Sequence, residues 1–274
     1  LKNSNNNWEA ALTEDGESNF LGNVDGGNTC DAFYSNGLGM SSDGSIGVGM
    51  GWIDCTTSAF YWTDSSGMVE LGQYDGQSTK AQAVAGDGSL IGGWAQTDNR
   101  SSCVWDRQGN ISFLGSLQQN NDYGEVQFIN NNGSIIAGYC AGSTGNNVEG
   151  YIWSEESGMF GLGVPENEAS TNVSRVFDMS ENMVAVGEYL YESPIFYKAC
   201  IYNNETEHFV NLKSYLLDKG MSDIENWDLV KALCISDDGN AIAGYGKDPS
   251  GNWTGWLLNI IVDDNVGDIN EDGL

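Results

Sequence analysis

Residues 87–93 read DGSLIGG, and close variants of this heptapeptide recur along the chain. The other copies are DGSIGVG at 43–49, NGSIIAG at 132–138, ENMVAVG at 181–187 and DGNAIAG at 238–244. Their final glycines are separated by steps of 44, 45, 49 and 57 residues. A period of this size indicates a supersecondary unit that is repeated and stacked against its neighbours.

Each copy is flanked by further short strand patterns. Asp-Gly and Asn-Gly tolerate positive φ angles, so the opening pair predicts a type I′ hairpin turn. The segments before the turns, with strand character, are 82–85, 126–130, 175–180 and 232–236. The third segments, rich in aromatics, are 59–62, 103–105, 151–153, 199–202 and 255–257, and the fourth are 68–72, 111–115, 159–163 and 208–212. Four antiparallel strands per repeat are typical of a propeller blade.

The count of copies predicts an all-β fold, a five-bladed β-propeller of four-stranded antiparallel blades over residues 1–260. The fifth repeat stops at its third strand, so residues 20–22 (FLG) are expected to close that blade as its fourth strand. Residues 8–12 resemble a third-type strand, which either overlays this closure or marks a partial blade. Residues 212–220 have helical spacing and 222–225 read as a capping box, which predicts a short helical insertion in the last repeat.

The charge balance limits the classes of partner. The 274 residues carry 39 acidic and 10 basic side chains, for a formal charge of −29. Such a surface repels phosphate backbones and anionic lipid, which argues against nucleic-acid and membrane-surface binding. Six scattered cysteines without a C-x-x-C pair disfavour a metal cluster and leave buried core residues or export-related disulfides as alternatives.

Several linked motifs resemble the HAF-type extracellular repeat proteins. The matching segments are AFYW at 59–62, GMVELG at 67–72 and ISDDG at 235–239, and residues 210–216 with 227–229 resemble the terminal unit of that family. The resemblance covers roughly residues 10–260 and implies secretion and a propeller-like fold, with no catalytic residues to carry over. We therefore expect an extracellular or cell-surface protein whose signal peptide has already been removed.

The last residues suggest a second resemblance. Asp268, Asn270 and Asp272, followed by Gly273, match the first half of a calcium loop, in which oxygen ligands alternate before a sharp turn. The segment 261–274 resembles the start of a dockerin-type module, which implies calcium and a cohesin-like partner. Because the acid expected at position 12 of the loop lies beyond Leu274, calcium binding should be weak, and a simple acidic tail is the alternative.

Aromatic residues near the ends of the second strands are the candidate ligand site. They are Trp52, Trp94, Tyr139, Tyr189 and Tyr245. Equivalent positions of a propeller share one rim, so these rings either stack on sugars or fill the gaps between blades. The leading hypothesis is a secreted, non-catalytic binding or surface-assembly module that recognises carbohydrate or an extracellular protein on one rim of the propeller. A structural subunit of a layer or filament, formed by self-association, is the alternative.

Catalysis has weaker support. His208 is the only histidine, which nearly excludes His-based triads and His-rich metal sites. Four acids lie near strands that could line the channel, as the paired carboxylates of a glycan-degrading hydrolase would. These candidates are Asp31, Glu125, Asp178 and Glu188.

Overall fold

The computed structural model describes residues 1–24, 34–143, 147–166, 173–192 and 196–260, and these residues form six antiparallel sheets. The first sheet is a hairpin of β1 (Ala11–Glu14) and β2 (Glu17–Phe20). The second contains β3 (Ser35–Met40), β4 (Ile46–Ile53), β5 (Thr56–Thr63) and β6 (Gly67–Gly72). The third contains β7 (Thr79–Val84), β8 (Ile91–Gln96), β9 (Arg100–Trp105) and β10 (Ile111–Phe113).

The remaining sheets continue the same pattern. The fourth contains β11 (Gly124–Ile129), β12 (Ile136–Ala141), β13 (Val148–Ser154) and β14 (Gly158–Gly161). The fifth contains β15 (Ser174–Met179), β16 (Ala185–Glu192), β17 (Phe196–Tyr202) and β18 (Val210–Asn211). The last contains β19 (Asp228–Ile235), β20 (Ala241–Lys247) and β21 (Trp253–Asn259). The prediction of an all-β chain built from four-stranded antiparallel sheets is confirmed.

We call the five sheets that carry the heptapeptide blades one to five, in chain order. One cavity of about 260 Å³ is lined by residues from all five, including Gly39, Ala83, Phe128, Asp178 and Asp237. Each of these residues lies in the first strand of its blade or in the turn that follows. The first strands are therefore innermost and surround a common axis, as in a propeller.

The repeat turns differ from the predicted type I′ geometry. In blade two the amide of Gly88 donates to the carbonyl of Ala85, and Gly88 alone has a positive φ, of 66°. The side chain of Asp87 accepts a hydrogen bond from the amide of Ser89, which caps the turn. A type I′ turn would require a positive φ at Asp87 as well as at Gly88. The prediction was wrong because Asp87 stabilises the turn through its side chain and keeps a negative φ. In blade four, Met183 takes the place of the glycine, with a φ of 70°.

The last glycine of each heptapeptide has a structural reason. The first strand of every blade shifts its register through a bulge, for example between Ala81 and Ala83. The bulge brings a carbonyl oxygen over the facing glycine, so that a Cβ on Gly93 would lie 1.9 Å from the oxygen of Lys80. The equivalent contacts in the other blades are 1.8–2.1 Å, at Gly49, Gly138, Gly187 and Gly244.

The helical insertion is where the spacing predicts it. Helix α1 (Leu212–Asp218) follows Asn211, whose side chain accepts a hydrogen bond from the amide of Ser214. Leu212 and Leu216 are buried against blades four and five. A 3₁₀ turn follows at Ser222–Ile224, but its N-cap is Met221, which makes no side-chain capping bond. The predicted capping box is therefore wrong.

The N-terminal hairpin occupies the place of a blade that precedes blade one. The hydroxyl of Thr79, at the start of blade two, accepts from the amide of Ala59 at 2.8 Å and donates to the carbonyl of Gly72 at 2.7 Å. Ser35 makes the same two contacts with Ala10 and Gly22. These hydroxyls join the third and fourth strands of one sheet to the first strand of the next, so β1 and β2 correspond to third and fourth strands.

This arrangement corrects the predicted ring closure. Phe20 pairs with Ala11 inside the hairpin, and the described part of the last sheet has the three strands β19 to β21. Residues 20–22 therefore do not add a fourth strand to blade five, and the partial-blade interpretation of residues 8–12 is the one that agrees with the contacts. The tail 261–274 lies outside the described residues. Among those described, no helix combines the length and apolar character needed to span a bilayer.

Candidate functional site

The five predicted aromatics are not equivalent in the structure. Trp94, Tyr139 and Tyr245 directly follow the last glycine of a heptapeptide, whereas Trp52 and Tyr189 lie three and two residues after theirs. Tyr189 is fully buried, and its hydroxyl accepts a hydrogen bond from Asn211. Trp94 is 7% exposed. The prediction of five equivalent stacking platforms is therefore wrong. Tyr189 is buried, and Trp52 does not lie at the position that Trp94, Tyr139 and Tyr245 share.

The position after the glycine is instead a meeting point of aromatic and charged side chains. In blade four it holds Glu188, which pairs across the strands with Arg175. In blades two, three and five the aromatics face charged residues of the first strand, and these pairs are Trp94 with Lys80, Tyr139 with Glu125 and Tyr245 with Lys231. All these pairs lie at the end of the sheets opposite the repeat turns.

Ion pairs connect successive blades at this end. Arg100 of blade two contacts Glu125 of blade three at 2.9 Å. Glu188 of blade four contacts Arg175 of its own blade at 2.8 Å and Lys231 of blade five at 2.7 Å. The Glu188 side chain is only 2% exposed. A buried carboxylate is tolerated here because two cations neutralise it, one from its own blade and one from blade five.

The same cations lie over aromatic rings. The guanidinium of Arg100 is 4.7 Å from the ring centre of Trp94, and that of Arg175 is 5.6 Å from that of Tyr139 on the preceding blade. Such contacts orient a cation while leaving its hydrogen-bond donors at the ring edge. Stacking and ion pairing therefore hold the charged groups in fixed positions.

Most of the chain's positive charge collects at this end. Of the ten basic residues, six belong to what we call the basic rim. Its members are Lys80, Arg100, Arg175, Lys198, Lys231 and Lys247. Among the described residues, no carboxylate lies within 4 Å of Lys80, Lys198 or Lys247. Because the chain has almost four acids for each base, lysines that form no ion pair within 4 Å among these residues indicate a surface for negative charge.

The three candidate catalytic acids that the structure describes each have partners within the fold. Glu125 and Glu188 are held by the cations just described, and Asp31 lies outside the described residues. Asp178 lines the axial cavity and accepts hydrogen bonds from the amides of Ile235 and Met179. Burial raises the pKa of Asp178 to about 6 despite these bonds. This geometry accounts for the acids as structural groups.

The raised pKa of Asp178 has a consequence for stability. A carboxyl group whose pKa is higher in the folded than in the unfolded chain stabilises the fold when protonated, and this stabilisation is lost as pH rises. The pKa rises from about 3.9 in the unfolded chain to about 6 in the folded one, so ionisation of Asp178 should remove about 3 kcal/mol from the free energy of unfolding. Urea midpoints at pH 4 to 7 should fall less steeply in Asp178→Asn than in the wild type. The exposed Asp64→Asn is the control, and equal slopes in all three proteins would contradict the assignment.

The cysteines and the calcium residues complete the predicted sites. Cys55 is disulfide-bonded, whereas Cys103, Cys140 and Cys200 are buried free thiols and Cys234 is free and exposed. Burial raises the pKa of Cys140 to about 12, as in an unreactive core thiol. The calcium candidates Asp268, Asn270 and Asp272 lie outside the described residues. Within the described part of the chain, no three His, Cys, Asp or Glu side chains are grouped to hold a metal ion.

Solved β-propellers resemble this chain at low sequence identity. A putative TolB from Agrobacterium tumefaciens is 10% identical with a TM-score of 0.51, over 90% of this chain and 80% of that one. The tricorn protease is 6% identical with a TM-score of 0.50, over 84% of this chain and 26% of that one. TolB from Acinetobacter baumannii is 16% identical with a TM-score of 0.49, over 71% of this chain, which spans 45% of that protein.

The two likenesses with TM-scores of 0.51 and 0.50 show the fold class. The chain is a β-propeller whose blades are antiparallel sheets around a common axis. No family model matches the sequence. No curated protein matches it either. The function must therefore be argued from the chain's own residues.

Proposed function

We propose that this protein is a secreted, non-catalytic binding module that engages an extracellular carbohydrate or protein at the basic rim. The observation that carries the proposal is the placement of six of the ten basic residues at one end of a chain with a charge of −29. Rings and buried glutamates hold several of these cations in place, which lowers the entropy lost on binding. The disulfide at Cys55 supports an oxidising, extracellular location.

The number of blades in the ring is also part of this proposal. We interpret the ring as five repeated blades with β1 and β2 as an additional half-blade. We also propose that the chain is a HAF-type repeat protein and that its C-terminus binds calcium. Both properties agree with secretion.

A second function, self-assembly into a layer or filament, rests on a different observation. In the described residues, the outer edge of β21 has no neighbouring strand, although the third strands of blades one to four each pair with a fourth. Leu257 on β21 is 66% exposed. An open edge with exposed apolar side chains is a surface on which another strand can pair. Sedimentation velocity over a range of concentrations detects such assembly directly.

Binding to an array of glycans and extracellular-matrix proteins tests the first function. We expect the affinity for a ligand found on the array to fall at least tenfold in the triple variant Lys80→Ala, Lys198→Ala and Lys247→Ala. The control, Arg107→Ala with Lys219→Ala, removes basic charge at the opposite end of the ring and should bind as the wild type does. Binding to nothing on the array, or equal loss in the rim variant and the control, would overturn the proposal. Circular dichroism checks that both variants are folded.

A further inference from the structure

The basic rim contains a cleft between blades four and five. Its volume is about 390 Å³, within the range of small-ligand sites. Tyr191 and Tyr197 line it from blade four, and Tyr245 and Trp253 line it from blade five. It is therefore an aromatic cleft at the junction of two sheets, positioned by the ion pair between Glu188 and Lys231.

Three lysines face this aromatic cleft. Lys231 is fixed by Glu188 at 2.7 Å, whereas Lys198 lies 3.7 Å from the ring centre of Tyr191 and Lys247 lies 5.2 Å from that of Trp253. Within the described residues, neither Lys198 nor Lys247 has a carboxylate within 4 Å. Asp228 is the acidic residue in the lining and lies opposite Lys247 across β19 and β20. The cleft therefore presents two ammonium groups, outnumbering this carboxylate, to a ligand with a negative charge.

The exposed rings supply a second kind of contact. Trp253 is 62% exposed and Phe196 is 60% exposed, although both are large apolar side chains. Trp253 is supported by Tyr245, with ring centres 5.9 Å apart. An exposed, supported aromatic face suits the C–H face of a sugar ring, because both are apolar and flat while the sugar hydroxyls point outward.

We propose that this cleft binds an acidic sugar, a pyranose that carries a carboxylate or a sulfate ester. The ring stacks on Trp253 and Phe196, and the anionic group lies between Lys198 and Lys247. The inference rests on the proposed binding function and gives it a ligand class. The overall charge of −29 repels densely charged polymers such as nucleic acids. A sugar chain with spaced charges avoids most of that repulsion, because surface charges farther away than about 8 Å are screened at physiological salt.

Calorimetry with matched acidic and neutral sugars tests the proposal. The carboxylate probe is trigalacturonic acid against its methyl ester, and the sulfate probe is a κ-carrageenan tetrasaccharide, whose charge comes from sulfate esters alone, against its desulfated form. We expect one acidic form to bind at least tenfold more tightly than its neutral match at 20 mM NaCl, with a smaller margin at 150 mM. The probe that shows the margin identifies the anionic group.

Variants separate the two kinds of contact. Lys198→Ala with Lys247→Ala should abolish the preference for the acidic form, whereas Trp253→Ala should weaken both forms. Arg107→Ala with Lys219→Ala removes the same charge at the opposite end of the ring and should change neither. Equal binding of acidic and neutral sugars, an unaffected lysine variant, or equally tight binding of an oligoglutamate peptide would overturn the ligand class. If binding is lost in Lys80→Ala but not in the cleft variants, the proposed function stands and this inference is wrong. If no probe and no array component binds, both are wrong.

Discussion

Replacing Gly49 with alanine should lower the free energy of unfolding by at least about 3 kcal/mol. An added Cβ would lie 1.9 Å from the carbonyl oxygen of Asn36 and 2.8 Å from Cζ of Phe60. The first contact is with backbone that is already constrained by a bulge, between Gly37 and Gly39. The second is with a ring that is 1% exposed and cannot turn away. Relief therefore requires the first and second strands of blade one to separate.

Gly47 provides a matched control in the same strand. A Cβ on Gly47 would have its nearest neighbours, atoms of Trp62, at 4.0 Å, which is ordinary van der Waals distance. Urea unfolding followed by tryptophan fluorescence should show Gly47→Ala close to the wild type and Gly49→Ala strongly destabilised or insoluble. Similar midpoints for the two variants would show that the bulge does not explain the repeated glycine.

Replacing Glu188 with alanine should cost about 3 kcal/mol of unfolding free energy. Its carboxylate is 2% exposed and contacts both Arg175 and Lys231, whose side chains are 24% and 25% exposed. Removal leaves two partly buried cations side by side with no counter-charge, and it separates blade four from blade five at the rim. The loss is therefore larger than that of one ordinary ion pair.

An exposed ion pair provides the comparison. Glu205 contacts Lys219 at 3.0 Å, with the two side chains 66% and 41% exposed. Because solvent screens such a pair, Glu205→Ala should cost less than about 1 kcal/mol. Thermal unfolding of both variants measures the difference. An equal, small loss in both would mean that Glu188 is replaceable by packing, and the account of the blade junction would be incorrect.

The repeat was predictable because its determinants are local. Turn residues, a buried apolar strand and a closing glycine recur within seven residues, so the sheets could be predicted from sequence. Their neighbours across the ring could not be predicted in the same way. The pattern at residues 20–22 indicates a fourth-type strand, but only the hydroxyl of Ser35, bonded to Ala10 and Gly22, shows which sheet it belongs to. The repeat pattern does not predict contacts between Ser35 and residues this far away in the sequence.

The candidate site shows the same limit. Sequence reasoning identified Trp94, Tyr139 and Tyr245 because aromatic residues after a glycine are conspicuous. It treated Glu188 only as a candidate acid and did not connect the basic residues, since they lie in first, second and third strands far apart in the chain. The bulges also shift the pairing that places Arg175 opposite Glu188. A signal was present, however, because basic residues are so few that their strand positions could have been compared.

The repeat turns separate charge along the axis of the ring. Hydrogen bonds from Ser45 lower the pKa of Asp43 to about 2, and similar bonds from Ser89 lower the pKa of Asp87. The carboxylates of these turns therefore stay ionised even in mild acid. The basic rim lies at the other end, so these ionised side chains and the six basic side chains of the rim occupy opposite ends of the ring. An approaching anion meets the basic side chains only when the ring presents that end to it. Recognition therefore begins as a problem of orientation, and its rate should depend on ionic strength more than its final geometry does.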